Sequence, residues 1–212
     1  MNEKFFDLKK EKQDRMINAA LKVFSLNGYR HASTDDIVRE EAISKGLLFH
    51  YFENKLGVYA FVYDYSVRYL LLELSTAVDA KETDLFTLMQ QVETGKMHAM
   101  CGYPYLQPFL NRAQTENVSE ALLAVEERKQ QLEDYLESVF ARADLGKYAS
   151  AEDAVKLRKM LELTIKGLMN ERILEDAFQP EMLYEEITEY LNLSRRLAER
   201  STQPSDEAFS EK

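Results

Sequence analysis

Residues 15–55, RMINAALKVFSLNGYRHASTDDIVREEAISKGLLFHYFENK, decide how this chain is read. Ile17, Ala20, Leu21 and Phe24 recur at the spacing of one helical face, and Asn27-Gly28 stops the run with residues that tolerate a left-handed backbone. A first helix of about three turns is expected. Ser33 and Thr34 then offer capping oxygens, Asp35 and Asp36 sit where the helix dipole favours acids, and Ile37, Val38 and Ala42 supply a small buried face. After this very short second helix, Ser44 can cap a third. In it Leu48, Phe49 and Phe52 face inward while Ser44, Lys45, Leu47, His50 and Tyr51 stay outside. Two short helices joined by a tight turn form a helix-turn-helix, whose second helix lies in a DNA major groove.

The order Arg15, Ile17, Ala19-Ala20, Phe24, Gly28-Tyr29, Ser33-Thr34, Ile37, Ala42-Ile43-Ser44, Gly46, Phe49, Tyr51-Phe52 and Lys55 resembles the N-terminal domain of TetR/AcrR-type regulators. Glu41 and Ala42 stand where that family commonly has Ala-Gly in the turn, and Phe49 replaces a common tyrosine. The resemblance implies an all-α chain of about nine helices. Residues 1–55 would form a three-helix helix-turn-helix domain with its reader at about 33–52, and residues 56–200 a helical effector-binding and dimerisation domain. It also implies a homodimer, a near-palindromic operator in double-stranded DNA, repression, and release by a small-molecule effector.

The reader residues are of the types this chemistry needs. Lys45 and His50 can donate to base edges or phosphates, Tyr51 can reach a phosphate, and Leu47 can touch a thymine methyl. Gly46 allows a close backbone approach. Ser33, Thr34, Ser44 and Lys55 lie at helix starts, where hydroxyl, ammonium and free backbone N–H groups can bind phosphate or simply cap helices.

Net charge is −10, but it is unevenly placed: residues 1–60 hold ten Lys/Arg against nine Asp/Glu, and the remainder seventeen against twenty-eight. An acidic body with a near-neutral reader predicts weak non-specific DNA binding. Lys4, Lys9, Lys10 and Lys12 are either an arm near phosphates or a solvated helix start. The single Cys101 excludes an intrachain disulfide and suits a reducing cytoplasm. The opening residues MNEKFFDLKKEKQ do not resemble a signal peptide, and no apolar run is long enough to span a bilayer.

Beyond the reader, Lys55 opens a long helix in which Leu56, Tyr59, Tyr63, Val67, Leu70 and Leu74 keep a helical spacing. Helices are expected at 84–101, 105–112, from 118 to about 144–146, at 151–177 and from Pro180 onward, with a disordered polar tail at 201–212. Tyr59, Tyr63, Met89, Met97, Met100, Tyr103, Tyr105, Phe109, Met160 and Met169 are adaptable apolar residues that line either a ligand pocket or the core, with Arg112, Asn170 or Arg172 as anchors for an acidic group. The stripes Leu161, Ile165, Leu168 and Leu183, Ile187, Tyr190, Leu191 either pair with their copies in a second subunit, as the resemblance implies, or are satisfied within one chain.

Catalytic and cofactor motifs are missing: there is no glycine-rich phosphate loop, HExxH, ExxH pair or GxSxG elbow. His98 and Cys101 could form a metal half-site, but no third ligand accompanies them. The reading is therefore a cytoplasmic DNA-binding regulator with no cofactor, metal or membrane partner. The second reading is a DNA-binding dimer without an effector, and a helical enzyme is a third.

Overall fold

A computed structural model describes residues 3–41, 43–148, 150–175 and 178–200. Among these residues all regular structure is helical: α1 (Lys10–His31), α2 (Thr34–Glu41), α3 (Lys45–Phe52), α4 (Lys55–Ala77), α5 (Leu85–Gly102), α6 (Leu106–Ala113), α7 (Ser119–Phe140), α8 (Ala151–Arg172) and α9 (Pro180–Arg200), with short 3-10 turns at Glu3–Phe5 and Leu145–Lys147. Expected boundaries differ in three places, one of them α7, which stops at Phe140 rather than near 144–146. α1 starts well before Arg15, and α8 ends at Arg172, where the Ile173 and Leu174 N–H groups close the last turn on Met169 and Glu171 carbonyls. Residues 176 and 177 of the longer helix expected there, Ala42 in the turn, and the tail at 201–212 lie outside the described residues.

The early start of α1 follows from an anchor in the opening residues. Phe5 is fully buried, with its ring edge-on to Tyr51 and Phe61 at 5.7 and 4.9 Å. Gln13 on α1 donates through Nε2 to the carbonyls of Phe6 and Leu8, satisfying backbone groups of the turn that carries Phe5. The other end of α1 bends at Gly28, whose φ of 67° and ψ of 174° suit glycine alone; one further turn leads to His31.

The angle between α3 and α4 has an equally local cause. Asn54 caps α4 by accepting from the Gly57 N–H at 2.9 Å. A side chain on Gly57 would meet the Phe52 carbonyl oxygen at 2.0 Å, so only glycine lets α4 begin this close to the end of α3. α4 then runs about 34 Å into the body.

Two apolar clusters hold the chain together. One is continuous from the reader into the body, joining Phe24 and Ile37 to Tyr59, Leu70, Phe109 and Val125. In the other, Leu85, Phe86, Met89 and Met100 of α5 pack with the inner faces of α8 and α9. The expected domain division at 55/56 therefore falls at the head of a helix whose core does not break there.

Gly28→Ala should lower unfolding stability by about 1–3 kcal/mol, because alanine must adopt a conformation it strongly disfavours. The added methyl would also press on the Arg112 side chain, 3.1 Å away. Urea unfolding checks this, and a loss below about 0.5 kcal/mol, the usual range for a neutral surface substitution, would contradict it.

Candidate functional site

α2 and α3 are small helices set by their caps. Ser33 Oγ accepts from the Asp35 N–H at 3.1 Å, and Ser44 Oγ from the Leu47 N–H at 3.2 Å. Leu48 and Phe52 turn into the core, while Ser44, Lys45, Gly46 and His50 are exposed and Thr34, Leu47, Phe49 and Tyr51 half-buried. Tyr51 packs against both His50 and Phe5, so its ring is braced from within. Lys45 reaches back to Asp35 at 2.8 Å, a pair half open to solvent and therefore weak. Arg39, in an exposed pair with Asp36, is a cation of the reader that helix periodicity did not single out.

Lys55 is placed differently from expectation. Its ammonium donates to the carbonyls of Tyr29, Arg30 and Ala32 at 2.9, 3.4 and 3.3 Å and lies 4.4 Å from the centre of the Tyr29 ring. These carbonyls are the open end of α1, so a helix terminus takes the charge that was expected to meet phosphate. Lys10 likewise turns inward, to Asp14, Tyr65 and Tyr103.

Both ends of α1 are tied to the body by polar contacts. Near its start, Tyr103 donates to Asp14 and shares a 2.6 Å hydrogen bond with Tyr65. Near its end, the Tyr29 N–H donates to Glu116 at 2.9 Å and its hydroxyl to Glu120 at 2.6 Å. Burial opposes ionisation of Glu116, but backbone N–H groups of Asn117, Tyr29 and Val118 outweigh it and hold the carboxyl below its usual value. Burial and the Glu120 hydrogen bond push the Tyr29 phenol up to about 12, and burial raises Tyr59, Tyr63 and Tyr103 as well.

In the body, a cavity of about 360 Å3 lies among α4, α5, α6, α7 and α8. Of the ten expected pocket residues only Met89 and Met169 line it. Tyr59 and Phe109 are interlocked in the aromatic core, Tyr103 belongs to the α1 contact, and Tyr105 lies under Lys22. Met100 is buried among α8 and α9 side chains, Met97 touches Cys101, and Met160 is 56% exposed on the outer side of α8. Tyr63 instead lines an open cleft of about 600 Å3 between the end of α3, α4 and α7. None of the expected anchors lines the cavity: Arg112 lies against Gly28, Asn170 is exposed, and Arg172 pairs with Glu175 and Glu186.

Its polar lining is instead Glu93, Lys96, Gln107, Asn111, Gln114 and Lys166, with further charged groups from α7 and α8. Gln107 and Asn111 are four apart on α6 and Gln114 follows at its C-terminal end, a spacing already present in the sequence. Glu93 is paired with Lys96 at 2.7 Å, and Lys166 donates to Gln114 at 2.6 Å. Burial and the neighbouring Lys159 and Lys96 lower the pKa of Lys166.

The stripes expected at a dimer contact also need correction. Leu161, Ile165, Leu168, Leu183, Ile187 and Leu191 are buried within one chain against α5, and only Tyr190 of that set is exposed. The exposed large apolar residues in this region are Val155, Met160 and Leu163 on α8, Leu174 just beyond it, and Met182, Tyr190, Leu193 and Leu197 on α9. Cys101 meets Met97 and Glu181 while His98 faces Glu73, and among the described residues no group of three His, Cys, Asp or Glu is placed to hold a metal. Among these residues, too, no helix is long and apolar enough to cross a membrane.

A capped helix-turn-helix at the head of an all-helical body is an arrangement that can dock in a DNA major groove. Residues 16–60 match the family model described as bacterial regulatory proteins, tetR family. The fold is similar to those of a TetR family transcriptional regulator from Chloroflexus aurantiacus (TM-score 0.66, 20% identity, covering 94% of this chain and 96% of that one) and the fatty acid degradation regulator FadR from Bacillus halodurans (0.58, 18%, 84% and 96%). It is also similar to the TetR family regulator PfmR from Thermus thermophilus (0.55, 19%, 86% and 97%). No curated protein matches the chain significantly. Residues 16–60 thus carry the N-terminal domain of the tetR family, and the chain as a whole has the fold of these regulators.

The raised phenols predict a specific alkaline limit. Folding favours their neutral forms, so their contribution is complete below the ordinary tyrosine value of 10.0 and is lost as pH rises through about 12, the Tyr29 value. The urea midpoint should fall steeply across this window, with a smaller fall in Tyr29→Phe. A midpoint independent of pH there would contradict the assignment.

Proposed function

We propose that this regulator is a cytoplasmic homodimeric repressor that binds a near-palindromic operator through α3 and leaves it when a small effector occupies the body cavity. The observation that carries the reading is that α6 serves both regions: Phe109 packs against Phe24 of α1, while Gln107, Leu110 and Asn111 line the cavity. A ligand that prefers one setting of α6 biases the setting of α1 and the reader, and linkage lowers operator affinity without a chemical step.

On the DNA, Ser33, Thr34, Ser44, Lys45, Gly46, Leu47, His50 and Tyr51 remain the proposed contacts. Lys55 becomes a positioning residue, since it fixes the end of α1. For the dimer, Met160 and Leu163 with Leu193 and Leu197 form an outer stripe separate from the buried one, and Gly167 adds a position with no bulk on the same side of α8. A second copy covering this stripe by a four-helix bundle would present two recognition helices to successive major grooves.

Selection from random duplex DNA, followed by salt titration on the winner, tests the reading. A near-palindrome with a steep salt dependence is expected, and no enrichment by a folded dimer at low salt would refute it. Lys45→Ala and His50→Ala should each weaken operator binding about tenfold without changing helicity, and Lys45→Ala should reduce the salt slope by about one.

Leu163→Asp should yield a folded monomer in sedimentation and lose most operator affinity, because the exposed carboxylate costs nothing in the free chain but is trapped in the dimer. A Leu163→Asp protein that stays dimeric would move the contact elsewhere.

A further inference from the structure

The bases and acids of the body cavity are unequally matched. Lys96, Arg158, Lys159 and Lys166 all line it. Lys96 is paired with Glu93 at 2.7 Å, and Glu162 serves both Arg158 at 3.4 Å and Lys159 at 3.9 Å. Lys166 has no carboxylate partner among the described residues. Its ammonium donates to the neutral amide oxygen of Gln114 at 2.6 Å, which uses one of its three N–H groups.

The charge around Lys166 is positive. Lys159 and Lys96 are near enough to disfavour its ionisation; Glu162 opposes them but is already shared. The other carboxylates of the lining act elsewhere. Glu93 is taken by Lys96, Glu133 is among the charges that oppose ionisation of Tyr63 on α4, and Glu137 is exposed. Lys166 also stands where a head group has access: it is half-buried, and Gln114 beside it is exposed. Deeper in, Met89, Val92, Leu110, Leu132 and Ile165 are buried and form apolar walls.

Resting on the effector reading above, we propose that the cavity takes an apolar carboxylic acid, its carboxylate accepting from Lys166 Nζ at the mouth and its chain lying along the apolar walls. The chain displaces solvent from those walls, and the head stays partly hydrated, which limits the cost of desolvating the ion pair. An alcohol brings no charge to the ammonium, and a cationic head would add a fourth positive charge to Lys96, Lys159 and Lys166.

Decanoate, decan-1-ol and decylamine share one chain length and separate these cases when titrated calorimetrically into the full-length protein and its Lys166→Met and Lys166→Arg variants. Decanoate should bind the wild type about tenfold more tightly than the alcohol, the worth of a charge-assisted hydrogen bond, and the amine should bind least. Lys166→Met should erase the preference for the acid and leave alcohol binding unchanged, whereas Lys166→Arg should keep it. Equal binding of acid and alcohol, tightest binding of the amine, or an acid preference that survives Lys166→Met would overturn the carboxylate assignment while leaving the cavity in place. Saturating decanoate should also release the selected operator; tight binding without release would support the carboxylate site and overturn the effector reading. No binding by any of the three would overturn both. The wild-type comparison decides the assignment even if Lys166→Met does not fold.

Discussion

Phe109 is the residue on which the arrangement of reader and body depends. It is buried between Phe24 of α1 and Tyr59 and Tyr63 of α4, with ring centroids 6.1, 5.5 and 5.9 Å away. Aromatic contacts of this kind prefer a few offset or edge-on geometries, so the cluster resists sliding and moves as a unit. α6 is only eight residues long and is buried on the α1 side as well as the cavity side. A displacement on one side therefore cannot be absorbed by solvent on the other.

Polar contacts complete this junction at the two ends of α1. Asp14 with Tyr103 holds the beginning, and Tyr29 with Glu116 and Glu120 holds the end. Lys55 closes the open carbonyls beyond Gly28, where the bend leaves them exposed to competition from water. These interactions cost the reader some of its positive charge. Lys10, Lys22 and Lys55 all have partners within the chain, so the near-neutral N-terminal region has fewer cations for phosphate than its composition suggests. Such a surface favours binding by shape and base contacts over strong non-specific attraction.

Much of the fold was legible because local rules and tertiary packing agree. Ser44 caps α3, Lys55 heads α4, Pro180 heads α9, and Leu48 and Phe52 lie under the recognition helix, as capping chemistry and periodicity require. Phe5 was missed because a single aromatic in a charged segment has no period; only the aromatic recess formed by Tyr51, Phe52 and Phe61 gives it a place. The cavity was misread for a related reason. Methionine and aromatic side chains fill a core as readily as they line a pocket, so their presence in the sequence does not separate the two.

The sequence by itself determined the helices, the helix-turn-helix and its outward residues, since these follow from spacing, caps and breakers within a few turns. The tertiary structure alone decided which of two apolar stripes on α8 faces inward. Leu161, Ile165 and Leu168 keep the same three-and-four spacing as Met160, Leu163 and the gap at Gly167, displaced by one or two residues. Periodicity shows that a helix has apolar faces but not what lies opposite them. Here α5 supplies Leu85, Phe86, Met89 and Met100 to one face, and burial against those side chains leaves the other as outer surface.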